Sequence, residues 1–372
     1  MRQQRRAVKQ VAATNTIARR RLHNQHLVSP TFTAAVEVVR ALGAVQAQDY
    51  LGARWAIAQR TTPPGLTETD VERAIASGAI LRTHVLRPTW HFVLPEDVRW
   101  MLELTAPRVR GAMAFYNRYH ELDATVFRKS HAAIERALRD GEHLTRAELS
   151  AALARAGIVC SERLVGLLLQ AELDRVIVSG PRHGKQFTYA LFEERVPAAP
   201  ARDRDEALHD LTRRYFATRG PATVQDFAWW SGLTIADAKR GVETAGSFLT
   251  RELQDGAARW HAPSSRSARS TRVAHLLPNF DEYFVGFRDR SAIAERLRPV
   301  IADSRVDALM GHVICVDGQI VGGWRRTLGK TADVELRLLV SVTAAERALV
   351  RRAAERFGKF LDRETRTSIV ED

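Results

Sequence analysis

Two glutamines separated by one residue, in the run Val45-Gln46-Ala47-Gln48-Asp49-Tyr50, are the side chains of this sequence whose type and spacing best suit chemistry. A carboxamide does not titrate near neutrality, so neither can act as a general base in the way a carboxylate does. Its dipole can instead hold a water molecule in place and stabilise nearby positive charge, which is catalysis by orientation and fixed electrostatics. Residues two apart lie about 200° apart around a helix but share a face in an extended chain. Joint action of the pair therefore predicts that the amphipathic helical stretch before it loosens, and Gly43 is placed to allow this. The plainer alternative is two surface polar residues near a helix end. Asp49, next in the chain, could orient the water or a glutamine, or could cap a helix that follows.

The elements that must position this pair recur along the chain. Periodicity predicts helices at Thr16–His23, Phe32–Gly43, Ala53–Gln59 and Glu68–Ser77, followed by a hairpin of Ile80–Leu86 and Thr89–Leu94 turned at Arg87-Pro88. Pro95 ends that hairpin. After a connecting helical region the order repeats. Helices are predicted at Val126–Leu138, at Leu144–Ala156 with Thr145 and Glu148 at capping-box spacing, and at Ser161–Leu173. The strands Arg175–Ser179 and Gln186–Leu191 then flank the basic turn Gly180-Pro181-Arg182-His183-Gly184-Lys185. Beyond the Pro- and Ala-rich linker Val196–Arg202, helices at Asp205–Arg219, Thr223–Ser231 and Ile235–Ala245 precede strands Phe248–Leu253 and Arg259–His261 around Asp255-Gly256. The last stretch changes character: strands Gly311–Val316 and Gln319–Arg326 meet at Asp317-Gly318, and a strand Asp333–Leu339 precedes a long helix Thr343–Leu361.

The expected fold is thus mainly α with β-hairpin wings, an α+β protein of three tandem winged-helix units followed by a C-terminal α+β module. The boundaries are 13–120, 121–200, 203–265 and 266–372. A winged helix sets one helix in or across a DNA groove while its hairpin tip reaches phosphate or the neighbouring groove. Arg87 on the first wing and Arg182, His183 and Lys185 on the second are accordingly DNA-contact candidates, each weighed against a simple solvated turn. Trp90 and His91 alternate on the first wing, which predicts Trp90 in the core and leaves His91 free to face DNA. Trp229-Trp230, inside a helix, reads as packing.

Composition points to the same partner. The 372 residues exceed one typical core and predict two to four domains. Lysine and arginine total 56 against 43 acids, a formal charge of +13. Most of the bases are arginine, whose planar fork suits phosphate. A solubility charge or arginine-rich codon usage is the alternative. Residues 1–22 hold Arg2, Arg5, Arg6, Lys9, Arg19, Arg20 and Arg21 with no acid, and positions 1–12 read as a solvated lead into the first helix. Cys160 and Cys315 lack metal-ligand spacing, as do His84, His275 and His312, so neither a disulfide framework nor a metal site is expected. No phosphate-cradling glycine loop is present and no cofactor is expected. No apolar run reaches the length of a membrane span and no secretory leader is evident, predicting a soluble, cytoplasmic, nucleoid-associated protein that works as a monomer.

Three segments, in order, carry a resemblance. Leu42-Gly43-Ala44-Val45-Gln46-Ala47-Gln48-Asp49, Leu86-Arg87-Pro88-Thr89-Trp90-His91, and Leu276-Leu277-Pro278-Asn279-Phe280-Asp281-Glu282-Tyr283 with Gly286-Phe287-Arg288-Asp289-Arg290 resemble the winged-helix family of alkylpurine and interstrand-crosslink DNA glycosylases, the AlkZ-like proteins. The similarity spans about residues 16–362. In that family a Gln-x-Gln signature catalyses base release, and a related branch has aspartate at the second position; here the signature falls on Gln46 and Gln48. The resemblance implies a metal-independent, monofunctional glycosylase acting on N7- or N3-alkylated purines in double-stranded DNA, with crosslink unhooking inside its possible range. Asp281, as possible support for the catalytic pair, and Arg288, as a DNA contact, also match family positions, although a buried structural ion pair explains them equally well. A non-enzymatic winged-helix DNA-binding protein or transcriptional regulator, in which the glutamines only contact DNA, is the alternative. Three serial units without a dimerising coiled coil favour the enzyme, because regulators commonly pair one motif per subunit across a two-fold site.

Overall fold

The computed structural model describes residues 16–254, 256–263, 272–300 and 311–371. Arg2, Arg5, Arg6 and Lys9 of the basic lead, and Asp255 of the expected third turn, lie outside the described residues. The chain divides into two compact units. One takes the residues up to Val71, His209–Trp230 and everything from Thr234 onward; the other takes Glu72–Leu208 with Ser231–Leu233.

The first unit is built on a five-stranded sheet. In spatial order its strands are Thr365–Glu371, Ala332–Leu338, Gln319–Leu328, Val313–Val316 and Ala274–Leu277. All neighbours are antiparallel except Thr365–Glu371, which runs parallel to Ala332–Leu338. The expected Asp317-Gly318 turn joins the central pair, with both residues at positive φ. Along Ala332–Leu338 burial alternates residue by residue, the period-2 pattern of a strand with one covered face. The strand Val313–Val316 feeds two cores. Ile314 and Val316 pack with Trp55, Trp324, Leu336, Val350, Phe357 and Phe360, while Val313 and Cys315 pack with Leu22, Leu27, Tyr283, Phe284 and Ile293.

The long C-terminal helix, Ala344–Phe360, starts from a complete capping box in which Thr343 and Glu346 satisfy each other's amides. Two buried tryptophans pair their indole N–H groups with carbonyls of one strand: Trp55 Nε1, from a helix, donates to the Leu276 carbonyl at 2.7 Å and Trp324 Nε1, from the sheet itself, to that of Leu277 at 2.8 Å. The same unit holds helices at residues 16–24, Ala35–Leu42, Tyr50–Ala58 and Ile235–Ala245, and the hairpin Thr250–Gln254 with Ala257–His261.

The second unit contains the hairpin Leu81–His84 with Trp90–Val93, the 25-residue helix Pro95–Tyr119, and helices Ala124–Ala137, Arg146–Arg155 and Leu164–Leu173. Strands Ile177–Ser179 and Thr188–Leu191 follow in the expected order. The predicted capping box is present: the Glu148 amide donates to Thr145 Oγ1 at 3.3 Å and the Thr145 amide to Glu148 at 2.7 Å. Leu164–Leu173 is buried nearly all round and packs with Leu122, Ile134, Leu149, Leu153, Ile177 and Tyr189.

Two longer strands went unread in the sequence, as did the two-residue strand Leu144–Thr145, which lies where a helix was expected to begin. Ala274–Leu277 has four buried residues and so shows no alternation, and Thr365–Glu371 finds its partner only through a parallel pairing across the long helix. The expected continuous helix Ser161–Leu173 opens as a 3-10 turn at Ser161–Arg163, and the expected strand start at Phe248 shifts to Thr250 because Gly246–Phe248 forms a 3-10 turn. No helix among the described residues is long and apolar enough to cross a membrane.

Candidate active site

The helix Ala35–Leu42 stops where the glycine requires. Gly43 has φ +79°, a conformation that L side chains seldom adopt, and its amide returns to the Val39 carbonyl at 2.8 Å. Val45–Gln46 is then extended. Val45 and Ala47 are buried, Gln46 is 7% exposed, and Gln48 is exposed. Gln46 is thus nearly covered within the short strand, whereas Gln48 follows it in a bend and is open to solvent.

Asp49 closes the segment by capping the helix Tyr50–Ala58, accepting the Gly52 amide at 3.0 Å. Arg326 Nη2 lies 3.0 and 2.9 Å from the two Asp49 oxygens, and His312 Nε2 lies 3.4 Å from one of them. Burial alone would raise the Asp49 pKa, but hydrogen bonding from His312, the Arg326 charge and the Gly52 amide outweigh it and depress the pKa to about 2. A depressed carboxyl contributes stability that is complete above its ordinary range and is lost as pH falls toward the folded value. The stability difference between wild type and Asp49→Asn is therefore expected to be constant from about pH 5 to 8 and to shrink below about pH 4, as followed by thermal melting.

The fit around Asp49 is close. A Cβ added at Gly52 would lie 2.5 Å from Asp49 Oδ2 and 2.9 Å from Pro278 Cβ. Gly52→Ala is accordingly expected to displace the Asp49 carboxylate at a cost of roughly 1–3 kcal/mol, read as a lowered melting temperature.

A second carboxylate holds the segment at its other end. Glu282 is fully buried, and its Oε1 accepts the backbone amide of Gln46 at 2.8 Å. Its Oε2 accepts from Arg219 Nη2 at 2.6 Å, Arg219 Nε at 3.2 Å and Trp230 Nε1 at 2.9 Å. Arg219, also fully buried, gives further protons to the carbonyls of Leu42 at 2.9 Å and Ala44 at 3.2 Å. Neighbouring Asp281 is paired in two-pronged fashion with Arg60 at 2.9 and 2.8 Å, both side chains being fully enclosed, and Arg60 also donates to Gln25 Oε1 at 2.9 Å. Among the described residues no group of three or more His, Cys, Asp or Glu side chains could hold a metal ion.

A sequence model described as DNA glycosylase AlkZ-like matches residues 39–360, most of the chain. The chain belongs to the AlkZ-like DNA glycosylase family. The fold agrees: Streptomyces sahachiroi DNA glycosylase AlkZ superimposes with a TM-score of 0.77 at 22% identity, over 96% of this chain and 99% of that one. No curated protein sequence matches.

Within this AlkZ-like chain the remaining candidates divide by exposure. His183 and Lys185 are exposed at the tip of the second hairpin, where the backbone of His183 and Gln186 closes the turn, and Arg182 is half-buried with Glu72 at 3.6 Å. Arg87 is half-buried, and Arg288 has an exposed side chain while its amide donates to Asp226 at 2.9 Å. His91 departs from expectation. Its ring is fully buried, with Nδ1 2.9 Å from the Thr89 carbonyl, so it presents no surface to DNA. Both faces of that hairpin are covered, and period-2 alternation therefore does not separate an outer side: Trp90, expected inside, is the partly exposed one, with Arg82 4.1 Å from its ring centroid. Asp281 is likewise enclosed with Arg60, which makes it a structural ion pair in this AlkZ-like fold. Trp230 packs inside, whereas Trp229 is 45% exposed.

Glu282, Arg219, Arg60, Arg326 and His312 were not singled out by sequence as site residues. A signal existed for one of them. Asp281-Glu282 sits among Phe280, Tyr283, Phe284 and Val285, and two acids in an apolar run must find buried partners.

Proposed function

We propose that this chain is a monofunctional DNA glycosylase that hydrolyses the N-glycosidic bond of N7- or N3-alkylated purines in duplex DNA, with Gln46 and Gln48 as its catalytic residues. The observation that carries this reading is the Gln46-Ala47-Gln48 segment, anchored through the Gln46 amide to Glu282 and through Asp49 to Arg326, in a chain of a DNA glycosylase family. Alkylation at N7 of guanine or N3 of adenine makes the purine cationic, so it leaves as a neutral base and needs no protonation. As the bond from C1′ to the ring nitrogen breaks, its electron pair goes to the base and positive charge develops on the sugar. The two side-chain carbonyls hold a water against C1′ and set their negative ends toward that charge. The water oxygen bonds to C1′ and its proton passes to solvent, giving free base and an abasic sugar. A crosslink attached through N7 belongs to the same chemical class, and its bulk argues against a mechanism that needs the base swallowed in a tight pocket.

The test is product identity. A methylated duplex incubated with the protein in EDTA should yield free 7-methylguanine and a strand that stays intact until alkali cleaves it at the abasic site. Cleavage without alkali would indicate a lyase step, and sequence-specific binding of undamaged DNA with no base release would favour a regulator. Binding itself should be strongly salt-dependent. Replacing the exposed tip residue Lys185 with alanine is expected to lower the slope of log affinity against log salt by about 1, with little change in lesion preference.

A further inference from the structure

We propose that Glu282 with Arg219, and Arg326 with Asp49, form a two-point clamp that fixes the backbone of residues 42–49 and so aims the Gln46 and Gln48 carboxamides, which makes the C-terminal sheet module part of the catalytic apparatus. The proposal rests on the glycosylase reading above.

A strand of two residues between a helix end and a helix start has little rigidity of its own. Catalysis by oriented dipoles tolerates little misplacement, since an error of about 1 Å can cost about a hundredfold in rate. The segment is held at four positions by side chains from distant parts of the chain. Arg219 takes the carbonyls of Leu42 and Ala44, Glu282 takes the amide of Gln46, and Arg326 takes the carboxylate of Asp49.

A buried Arg–Glu pair serving stability alone needs only mutual satisfaction. Here Glu282 turns one oxygen to the Arg219 guanidinium and the Trp230 indole and gives the other to a single backbone amide, that of Gln46. Bonds to a buried charge are the strong kind and resist competition from water. Glu282 and Arg219 do not touch substrate in this proposal; they are positioning residues.

The test compares single-turnover release of 7-methylguanine at saturating enzyme, together with DNA affinity, for the full chain and three variants. Gln46→Ala/Gln48→Ala reports the underlying reading. Glu282→Gln keeps the size of the side chain but presents an amide group to a guanidinium. The third replaces residue 46 with the α-hydroxy analogue of glutamine, which turns its backbone amide into an ester and removes the donor to Glu282 while keeping every side chain. The clamp predicts that Glu282→Gln and the ester release base about tenfold or more slowly while their DNA affinity stays within about twofold, a loss confined to the chemical step. If Glu282→Gln fails to fold because Arg219 is left unpaired, the ester variant decides. Wild-type rates in the ester variant, with the double glutamine variant inactive, would overturn the clamp and leave the glycosylase reading standing. No release by wild type from the methylated duplex would remove that reading and the clamp's role with it.

Discussion

Gln46→Ala/Gln48→Ala should lower single-turnover base release on the order of 10²–10³-fold, the range typical of deleting preorganised dipoles at a developing charge. DNA affinity should change little, because the residues proposed to contact phosphate, such as Lys185, are other side chains. The two positions should not weigh equally. Gln46 is nearly covered whereas Gln48 is open to solvent. A dipole in a water-poor site acts with less screening than one at the surface. Gln46→Ala alone is therefore expected to account for most of the loss, and Gln48→Ala for roughly tenfold. Rates measured with enzyme in excess over a methylated duplex, at matched DNA occupancy, check this; equal and small effects at both positions would place the chemistry elsewhere.

Asp281→Asn should have the largest effect on stability. It leaves Arg60 fully buried without its counter-charge, and the remaining partners, the Gln25 side chain and the carbonyls of Gln25 and Ala56, are neutral. Removing one member of a buried pair typically costs about 3–5 kcal/mol, because the charge left behind has lost its solvent and gained nothing. In a chain of this size that corresponds to a drop in melting temperature on the order of 4–6 °C. The same substitution should leave the rate per folded molecule near that of wild type, since Asp281 bonds to Arg60 and the Tyr283 amide and not to the glutamine segment. A melting temperature unchanged by Asp281→Asn would show that this pair is not what joins residue 60 to residue 281.

Much of what positions the site locally was legible in the sequence. Gly43 predicted the break in the helix before Gln46, because only a residue without Cβ takes φ +79° cheaply, and a short strand, Val45–Gln46, follows it. Asp49 was read as a possible cap and is one. The Thr145–Glu148 box and the Asp317-Gly318 turn follow from side chains that bond within a few residues, which is the range local pattern can report. What escaped is long-range. Glu282 and the Gln46 amide are 236 positions apart, and Arg326 and Asp49 are 277 apart. No periodicity links residues at such separations, and each arginine looks like one more member of a basic composition until its carboxylate is seen beside it. His91 failed for a different reason: alternation along a strand identifies an outer face only when one face is uncovered, and here the successive residues His91, Phe92 and Val93 are all buried.

The most direct test of the central claim is whether the wild-type protein releases free base from a duplex carrying 7-methylguanine in EDTA, followed by chromatography of the released purine against the count of abasic sites formed. The glutamine mechanism predicts one free 7-methylguanine per abasic site, undiminished by the chelator. Tight binding of the methylated duplex with no free base, or release that stops when EDTA is added, would contradict it.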